Sequence, residues 1–91
     1  KIIPKEIKLY QNYPNPFNPS TTISFSLPSS QIVKIKVYNL LGEEVADISN
    51  QIFSAGLNEV NFNASGLASG VYIVSLEANT IRLSQKIALM K

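Results

Sequence analysis

The sequence predicts an all-β fold, an immunoglobulin-like antiparallel β-sandwich of about seven strands. Short segments with alternating apolar and polar residues recur along the chain, and turn-forming residues separate them at intervals of about ten residues. No segment carries a convincing helical period. Because alternation places every second side chain on the same face of a strand, each segment can bury one face against a second sheet.

Composition favours a single folded domain. Of 91 residues, 45% are hydrophobic and only 15% are charged, which is typical of a chain with an apolar core. Residues 1–6 show no periodicity and are interpreted as the end of a linker from an upstream protein, while residues 7–91 form the predicted domain. A first residue other than methionine also suggests a piece of a larger protein.

Several function classes are disfavoured by what the sequence lacks. It contains no cysteine and no histidine, so thiol nucleophiles, disulfides, imidazole metal ligands and histidine-based catalytic triads are absent. A net charge of +2 without a basic run gives no reason to expect a nucleic-acid partner. No apolar stretch reaches the roughly 18 residues of a membrane-spanning helix.

The acidic residues give no reason to expect a catalytic pair or a metal site. They are scattered over different turns and strand ends: Glu43, Glu44, Asp47, Glu59 and Glu77. Solvated surface charge is the ordinary state of such side chains. We therefore expect no enzymatic activity, no cofactor and no bound metal.

A proline-rich segment, residues 13–19 (here called the proline arm), organises the first part of the chain. Its three prolines fix their own φ angles and bias the preceding residues toward extended conformations. The side chains of Asn15 and Asn18 are predicted to hydrogen-bond to the turning backbone nearby. The arm is thus predicted to be stiff and irregular, and it leads directly into a strand over residues 23–27.

A short first strand is predicted at Ile7 and Leu9, before the proline arm, and an amphipathic strand over residues 33–38 follows later in the chain. Residues 39–47 allow either a short helix or a hairpin. Asn39 followed by Gly42 suits a type I turn with a left-handed glycine, so we choose the hairpin.

The last third predicts three more strands. Residues 60–64 alternate, residues 71–76 are apolar on both faces, and residues 81–90 form a long terminal strand. A two-sided apolar strand is central in its sheet or has something lying over its outer face. Tyr72 follows a corner of small residues and resembles a tyrosine corner, in which the hydroxyl bonds to upstream backbone. The pattern leaves the order of the strands open.

Four blocks, residues 13–19, 37–45, 66–72 and 86–91, together resemble the type A C-terminal sorting domain of the bacterial type IX (Por) secretion system, in that family's order. The resemblance covers most of the chain. The residues it singles out as the sorting motif are Tyr13, Pro14, Asn15, Pro16, Gly70, Tyr72, Lys86 and Lys91, with Gly42 as a structural turn. Val74, Ser75 and Gln85 depart from the family's usual residues.

The resemblance implies a delivery tag. Such domains stand at the C-terminus of an exported cargo protein, fold in the periplasm and are recognised by the type IX translocon at the outer membrane. A surface sortase normally removes them, and the cargo ends at the cell surface or in the medium. The expected partners are therefore the translocon, the sortase and the attached N-terminal cargo.

Two other functions are kept open. A carbohydrate-binding or fibronectin-like accessory module would need an exposed aromatic platform, for which Tyr10, Tyr13 and Tyr38 are the candidates. A spacer domain is the third possibility. The lysines of the terminal strand, Lys86 and Lys91, have two possible roles. They either protect a sheet edge from pairing with another chain or mark a strand that a receptor binds by strand addition. Removing residues 86–91 is expected to leave most of the sandwich folded.

Overall fold

Two antiparallel sheets stack in the computed structural model of the chain, which describes residues 5–91. The seven strands are β1 (Lys8–Leu9), β2 (Ser20–Leu27), β3 (Gln31–Tyr38), β4 (Glu44–Phe53), β5 (Gly56–Asn63), β6 (Gly70–Ala78) and β7 (Ile81–Leu89). One sheet has the order β1-β2-β5 and the other β4-β3-β6-β7. The predicted all-β sandwich is confirmed. Most of the predicted linker, residues 1–4, lies outside the described residues.

The position of β4 sets the strand order, which alternation could not give. In constant-type immunoglobulin domains the fourth strand joins the sheet of the first, second and fifth strands. Here β4 pairs with β3 through the hairpin at residues 39–43, so the predicted hairpin is confirmed. Two register shifts, at Ile35/Lys36 and Val37/Tyr38, interrupt this pairing. β4 and β7 are consequently the two edges of the larger sheet.

β6 is central in its sheet, as its two-sided apolar character predicts. It lies between β3 and β7 and turns Tyr72, Val74 and Leu76 toward the core. Ser75 points to the opposite face, yet it is only 5% exposed. Arg82 Nε donates to Ser75 Oγ at 3.2 Å, which gives this buried hydroxyl a hydrogen-bond partner.

The core lies between the two sheets and is built from the inward parity of each strand. Its buried apolar residues are Phe17, Ile23, Phe25, Leu27, Val33, Ile35, Val37, Phe62, Ala64, Tyr72, Val74, Leu76, Ala78, Ile87 and Leu89. Burying each large side chain of this set contributes about 1.5–3 kcal/mol relative to leaving it exposed. Both Ile87 and Leu89 come from the terminal strand, so the end of the chain is part of the core.

The proline arm connects the two sheets. At its start, Tyr13 and Thr22 exchange backbone hydrogen bonds of 3.1 and 2.9 Å beside the three-stranded sheet. Further along, the Phe17 amide donates to the Ala88 carbonyl and the Met90 amide donates to the Phe17 carbonyl, both at 2.9 Å. The arm therefore leaves one sheet, pairs with the free edge of β7 in the other, and returns at β2.

The Phe17 side chain anchors the arm in the core. It is 2% exposed, and its ring centroid lies 6.2 Å from that of Phe62 on the three-stranded sheet. The irregular path predicted for the arm is confirmed, and its stiffness stays a prediction. Its three X–Pro peptide bonds are cis. One buried aromatic ring gives this otherwise exposed segment a fixed position.

The prediction that the Asn15 side chain hydrogen-bonds to the nearby backbone is wrong. Its Oδ1 accepts the Ala88 amide at 3.1 Å, across to β7, and does not bond to nearby backbone. The side chain that bonds locally is that of Asn12. Asn12 is buried, and its Nδ2 donates to the Pro14 carbonyl and to Thr21 Oγ1. Within residues 5–91, the Asn18 side chain makes no such local bond. The difference arises because the unpaired Ala88 amide at a sheet edge requires an acceptor.

Replacing Phe17 tests whether the arm is part of the folded core. Phe17→Ala should lower the free energy of unfolding by about 3–5 kcal/mol, since it removes a buried ring and leaves a cavity. Urea unfolding measures the change. Tyr13→Ala is the control, because Tyr13 is 80% exposed, and its effect should stay within about 0.5 kcal/mol. Equal effects of the two variants would contradict the anchoring of the arm by Phe17.

Candidate functional site

The four sequence blocks meet at one end of the sandwich, which we call the motif end (residues 13–19, 37–45, 66–72 and 86–91). Strand register brings them together. Tyr38 lies opposite Ile73, and Ile73 lies opposite Lys86, across three neighbouring strands. Leu89 lies opposite Gly70 on one side and forms a bridge with Phe17 on the other. Blocks that are far apart in sequence therefore form one continuous surface.

The Gly42 turn forms one wall of the motif end. Asn39 Oδ1 accepts the backbone amides of Leu41 and Glu43, each at 3.0 Å, and Asn39 Nδ2 donates to Glu43 Oε1 at 2.7 Å. Gly42 has φ +86° and donates its amide to the Asn39 carbonyl. A left-handed residue at this position favours glycine because a Cβ would be strained there. Gly42 thus lies at the left-handed position of the turn, where the sequence pattern places a glycine.

An ion pair follows the turn on the outer face of the larger sheet. Lys36 Nζ lies 3.1 Å from Glu44 Oε1. The hydrogen bond to Glu44 and the charge of that carboxylate raise the pKa of Lys36 above its ordinary value of 10.5. Because both side chains are substantially exposed, we treat the pair as a local ordering contact for the start of β4.

Tyr72 forms the predicted tyrosine corner. Its hydroxyl donates to the Ala68 carbonyl at 2.5 Å, and the side chain is 8% exposed. Gly70 opens β6 with φ +155°, a conformation that side-chain-bearing residues rarely adopt. The Tyr72 hydroxyl therefore holds the connection that precedes β6 against the start of that strand. The structural role of Tyr72 is confirmed, and its sorting role stays a prediction.

The two motif lysines are held differently. Lys91 donates its backbone amide to Ser69 Oγ at 3.0 Å and its Nζ to the Ser65 carbonyl at 2.7 Å, which ties the last residue to the tyrosine corner. Lys86 is exposed on the outer face. Among residues 5–91 it has no carboxylate within ion-pairing distance. Lys86 is thus an ammonium group available to a partner.

The proline arm occupies the edge of β7 at the motif end. Besides the Phe17 and Asn15 bonds, Gln11 Nε2 donates to the Lys86 carbonyl at 3.2 Å. A receptor strand could add along residues 86–90 only after displacing the arm. Removing residues 86–91 would also remove Ile87 and Leu89 from the core, contrary to the expectation that most of the sandwich would survive. Substitutions are therefore better probes than deletion.

The first motif residues are presented to solvent. Tyr13 is 80% exposed, and Pro14, Asn15 and Pro16 are also exposed beside the buried Phe17. Among the polar residues that hold the site together, sequence reasoning missed Gln11, Asn12 and Arg82, and it gave Ser69 no role of its own within the 66–72 block. Their positions show no period or motif of their own, because each is defined by a tertiary partner. Only their closeness to the blocks could have suggested them.

The comparison with known families shows the family of the chain. The model of a family described as the secretion system C-terminal sorting domain matches residues 11–90. The chain belongs to this family of type IX sorting domains. All four blocks of the motif end lie within the matched region, apart from Lys91. The sorting domain is a type IX secretion signal, and membership implies export across the outer membrane to the cell surface or beyond.

The positions of three tyrosines bear on the alternative function of a carbohydrate-binding module. Tyr38 lies on β3, whereas Tyr10 and Tyr13 bond to β2 in the other sheet, so the three tyrosines form no common platform. In the described part of the chain, no three potential metal-ligating side chains cluster. The same part has no helix of the length and apolarity needed to cross a bilayer.

Tyr72→Phe isolates the corner hydroxyl. Loss of one buried hydrogen bond should cost about 1 kcal/mol, which lowers Tm by about 4–8 °C in a domain of this size. Differential scanning calorimetry measures the shift. Tyr38→Phe is the control, since Tyr38 is partly exposed on an outer face. A Tyr38→Phe variant that melts as low as Tyr72→Phe would show that the corner bond has no special role.

Asn15→Ala tests the bond between the arm and β7. It should leave the Ala88 amide without its acceptor and increase its hydrogen-exchange rate, with a stability loss of about 1 kcal/mol. Exchange measured by NMR gives the answer for that single amide. Asn18→Ala, an exposed amide of the same arm, should leave Ala88 unchanged. Unaltered Ala88 exchange in Asn15→Ala would refute the contact.

Proposed function

We propose that the type IX translocon reads the motif end of the folded sorting domain, and that this recognition directs an attached cargo protein across the outer membrane. The observation that carries the proposal is the convergence of all four sequence blocks on one surface. Strand register and hydrogen bonds from the arm place Tyr13, Gly70 and Lys86 at the same end of the molecule. A receptor can therefore contact residues from both ends of the sequence at once.

The order of events follows from the same surface. Because the motif end includes the first and last blocks of the domain, it exists only once the sandwich has folded. Recognition would then report that folding of the tag in the periplasm is complete. The cargo reaches the translocon with a tag whose shape, as well as its sequence, is the signal.

Removal by a surface sortase would take place upstream of the sandwich. Lys5 and Glu6 are exposed and precede β1, which pairs with β2 from Lys8 onward. A protease reaches an exposed segment before a strand far more readily than a paired strand. We place the cut ahead of β1, so that the released tag keeps its complete fold.

The sorting domain acts as the substrate of that reaction and catalyses none itself. With no histidine or cysteine in its sequence, its serines and threonines have no side-chain base of the usual kind beside them. Of the carboxylates, Glu44 pairs with Lys36 and Glu77 lies beside Arg82. The chemistry of release and attachment then belongs to the sortase.

Export of a reporter tests the function. Residues 1–91 fused to the C-terminus of a periplasmic reporter should place that reporter on the cell surface in a host with the type IX system. Protease accessibility on intact cells measures surface exposure. The matched control is a strain lacking the translocon, in which the same fusion should stay in the periplasm. Equal surface exposure in the two strains, or none in either, would refute the proposal.

The position of the tag separates this function from that of a spacer. A spacer should serve equally well when inserted between two reporter domains, whereas a sorting tag should direct export only from the C-terminus. The same surface-accessibility assay compares the two arrangements. Full export from the internal position would favour the spacer.

A further inference from the structure

A groove on the outer face of the larger sheet adjoins the motif end. Its floor is formed by Ile73 and Ser75 of β6, and its volume is about 390 Å³. The turn after β3 forms one wall and β7 forms the other.

The groove is apolar along the turn after β3, and Lys86 stands beside it on β7. Leu40 is 66% exposed, and Tyr38 and Ile73 lie opposite each other in the strand register. No carboxylate lines the groove, and Arg82 is its one charged lining residue. Lys86 stands directly across from Ile73 on β7, and among the described residues it has no carboxylate within ion-pairing distance.

Among the described residues, none of the nearby carboxylates pairs with Lys86, although Glu43 keeps its charge because its partner Asn39 is a neutral amide. Glu43 accepts from Asn39 within the turn, and Glu44 pairs with Lys36. Glu77 lies 3.7 Å from the Arg82 Nε. The rim at Lys86 therefore keeps a positive charge that a ligand carboxylate can meet at close range.

We propose that this groove receives an apolar side chain flanked by Asp or Glu on an extended segment of the type IX receptor protein. The inference rests on the function proposed above and names the surface and partner chemistry that carry it. The apolar side chain would cover Ile73 and Leu40, and the carboxylate would pair with Lys86. Charge complementarity argues for an acidic occupant, and continuity with the motif end argues for the receptor.

A second apolar pair on the same sheet face supplies a matched control. Ile32 and Ile52 lie opposite each other at the far end of the sheet and are 56% and 68% exposed. Ile52 thus resembles Leu40 in exposure but is far from the blocks along the register. Lys34 is likewise an exposed lysine of this face, and it serves as the counterpart of Lys86.

The experiment compares four reporter fusions carrying Leu40→Glu, Ile52→Glu, Lys86→Glu and Lys34→Glu. We expect surface reporter to fall about tenfold for Leu40→Glu and Lys86→Glu, since losing one central interface contact commonly weakens binding by this factor. The two control variants should export like the unmodified fusion. Thermal unfolding of each purified domain identifies any variant that fails to fold. If Leu40→Glu fails to fold, the milder Leu40→Gln takes its place.

The outcomes separate the groove from the function. If the unmodified fusion is exported only with the translocon and all four variants match it, the groove is wrong and the sorting function stands. If groove and control variants fall equally, the groove is again wrong. If the unmodified fusion fails to export, the proposed function itself is wrong.

A photo-crosslinking amino acid at position 40 identifies the occupant. A protease-sensitive adduct whose crosslinked peptide, mapped by mass spectrometry, belongs to a type IX component and contains an acidic residue beside an apolar one supports the proposal. Crosslinking to an acidic polysaccharide, which resists protease, would overturn it, and so would equal crosslinking from position 52.

Discussion

The pairing of the proline arm with the edge of β7 is the contact on which the rest of the structure depends. Phe17 brings one backbone donor and one acceptor to that edge and buries its ring between the sheets. The chain has no cysteine with which to cross-link the sheets. The arm does this noncovalently, and it also covers an edge that would otherwise be open to pairing with another chain. Proline suits this position because a stiff segment loses little conformational freedom when it docks.

In the proposed function, the same contact links folding to recognition. Asn15 and Ala88 are separated by 73 positions, so their hydrogen bond forms only when nearly the whole sequence has come together. The tyrosine corner and the Lys91 contacts join the 66–72 connection to this assembly. Residues that identify the family are therefore divided between two roles. Phe17, Gly42 and Tyr72 build the motif end, whereas Tyr13 and Lys86 remain on its surface.

Most of the fold could be predicted from the alternation of apolar and polar residues and from the turn-forming residues. The inward faces of β2 and β3, the hairpin at Gly42 and the corner at Tyr72 follow from local rules, because each depends on neighbours in sequence. The pairing of β4 with β3, and the transfer of the Asn15 side chain to Ala88, depend on which edges happen to be free. No local pattern contains that information.

The candidate site, like the fold, depends partly on local sequence and partly on long-range strand pairing. The four blocks were recognisable as a family signature, but their meeting at one end required the register of β3, β6 and β7. The groove could be foreseen only in part. Two-sided hydrophobicity of residues 71–76 predicted an apolar outer face, whereas the hydrogen bond from Arg82 on β7 to Ser75 on β6 depends on the pairing of these two strands.

Amide hydrogen exchange at Phe17 tests the central claim most directly. If the arm is integrated into the sandwich, this amide should be protected to a degree comparable with the amides of β6, because its exchange requires breaking the contact with Ala88 and exposing a buried ring. Exchange of the Phe17 amide at the rate of an open loop, while the β6 amides stay protected, would show that the arm is an appendage and that the two sheets hold together without it.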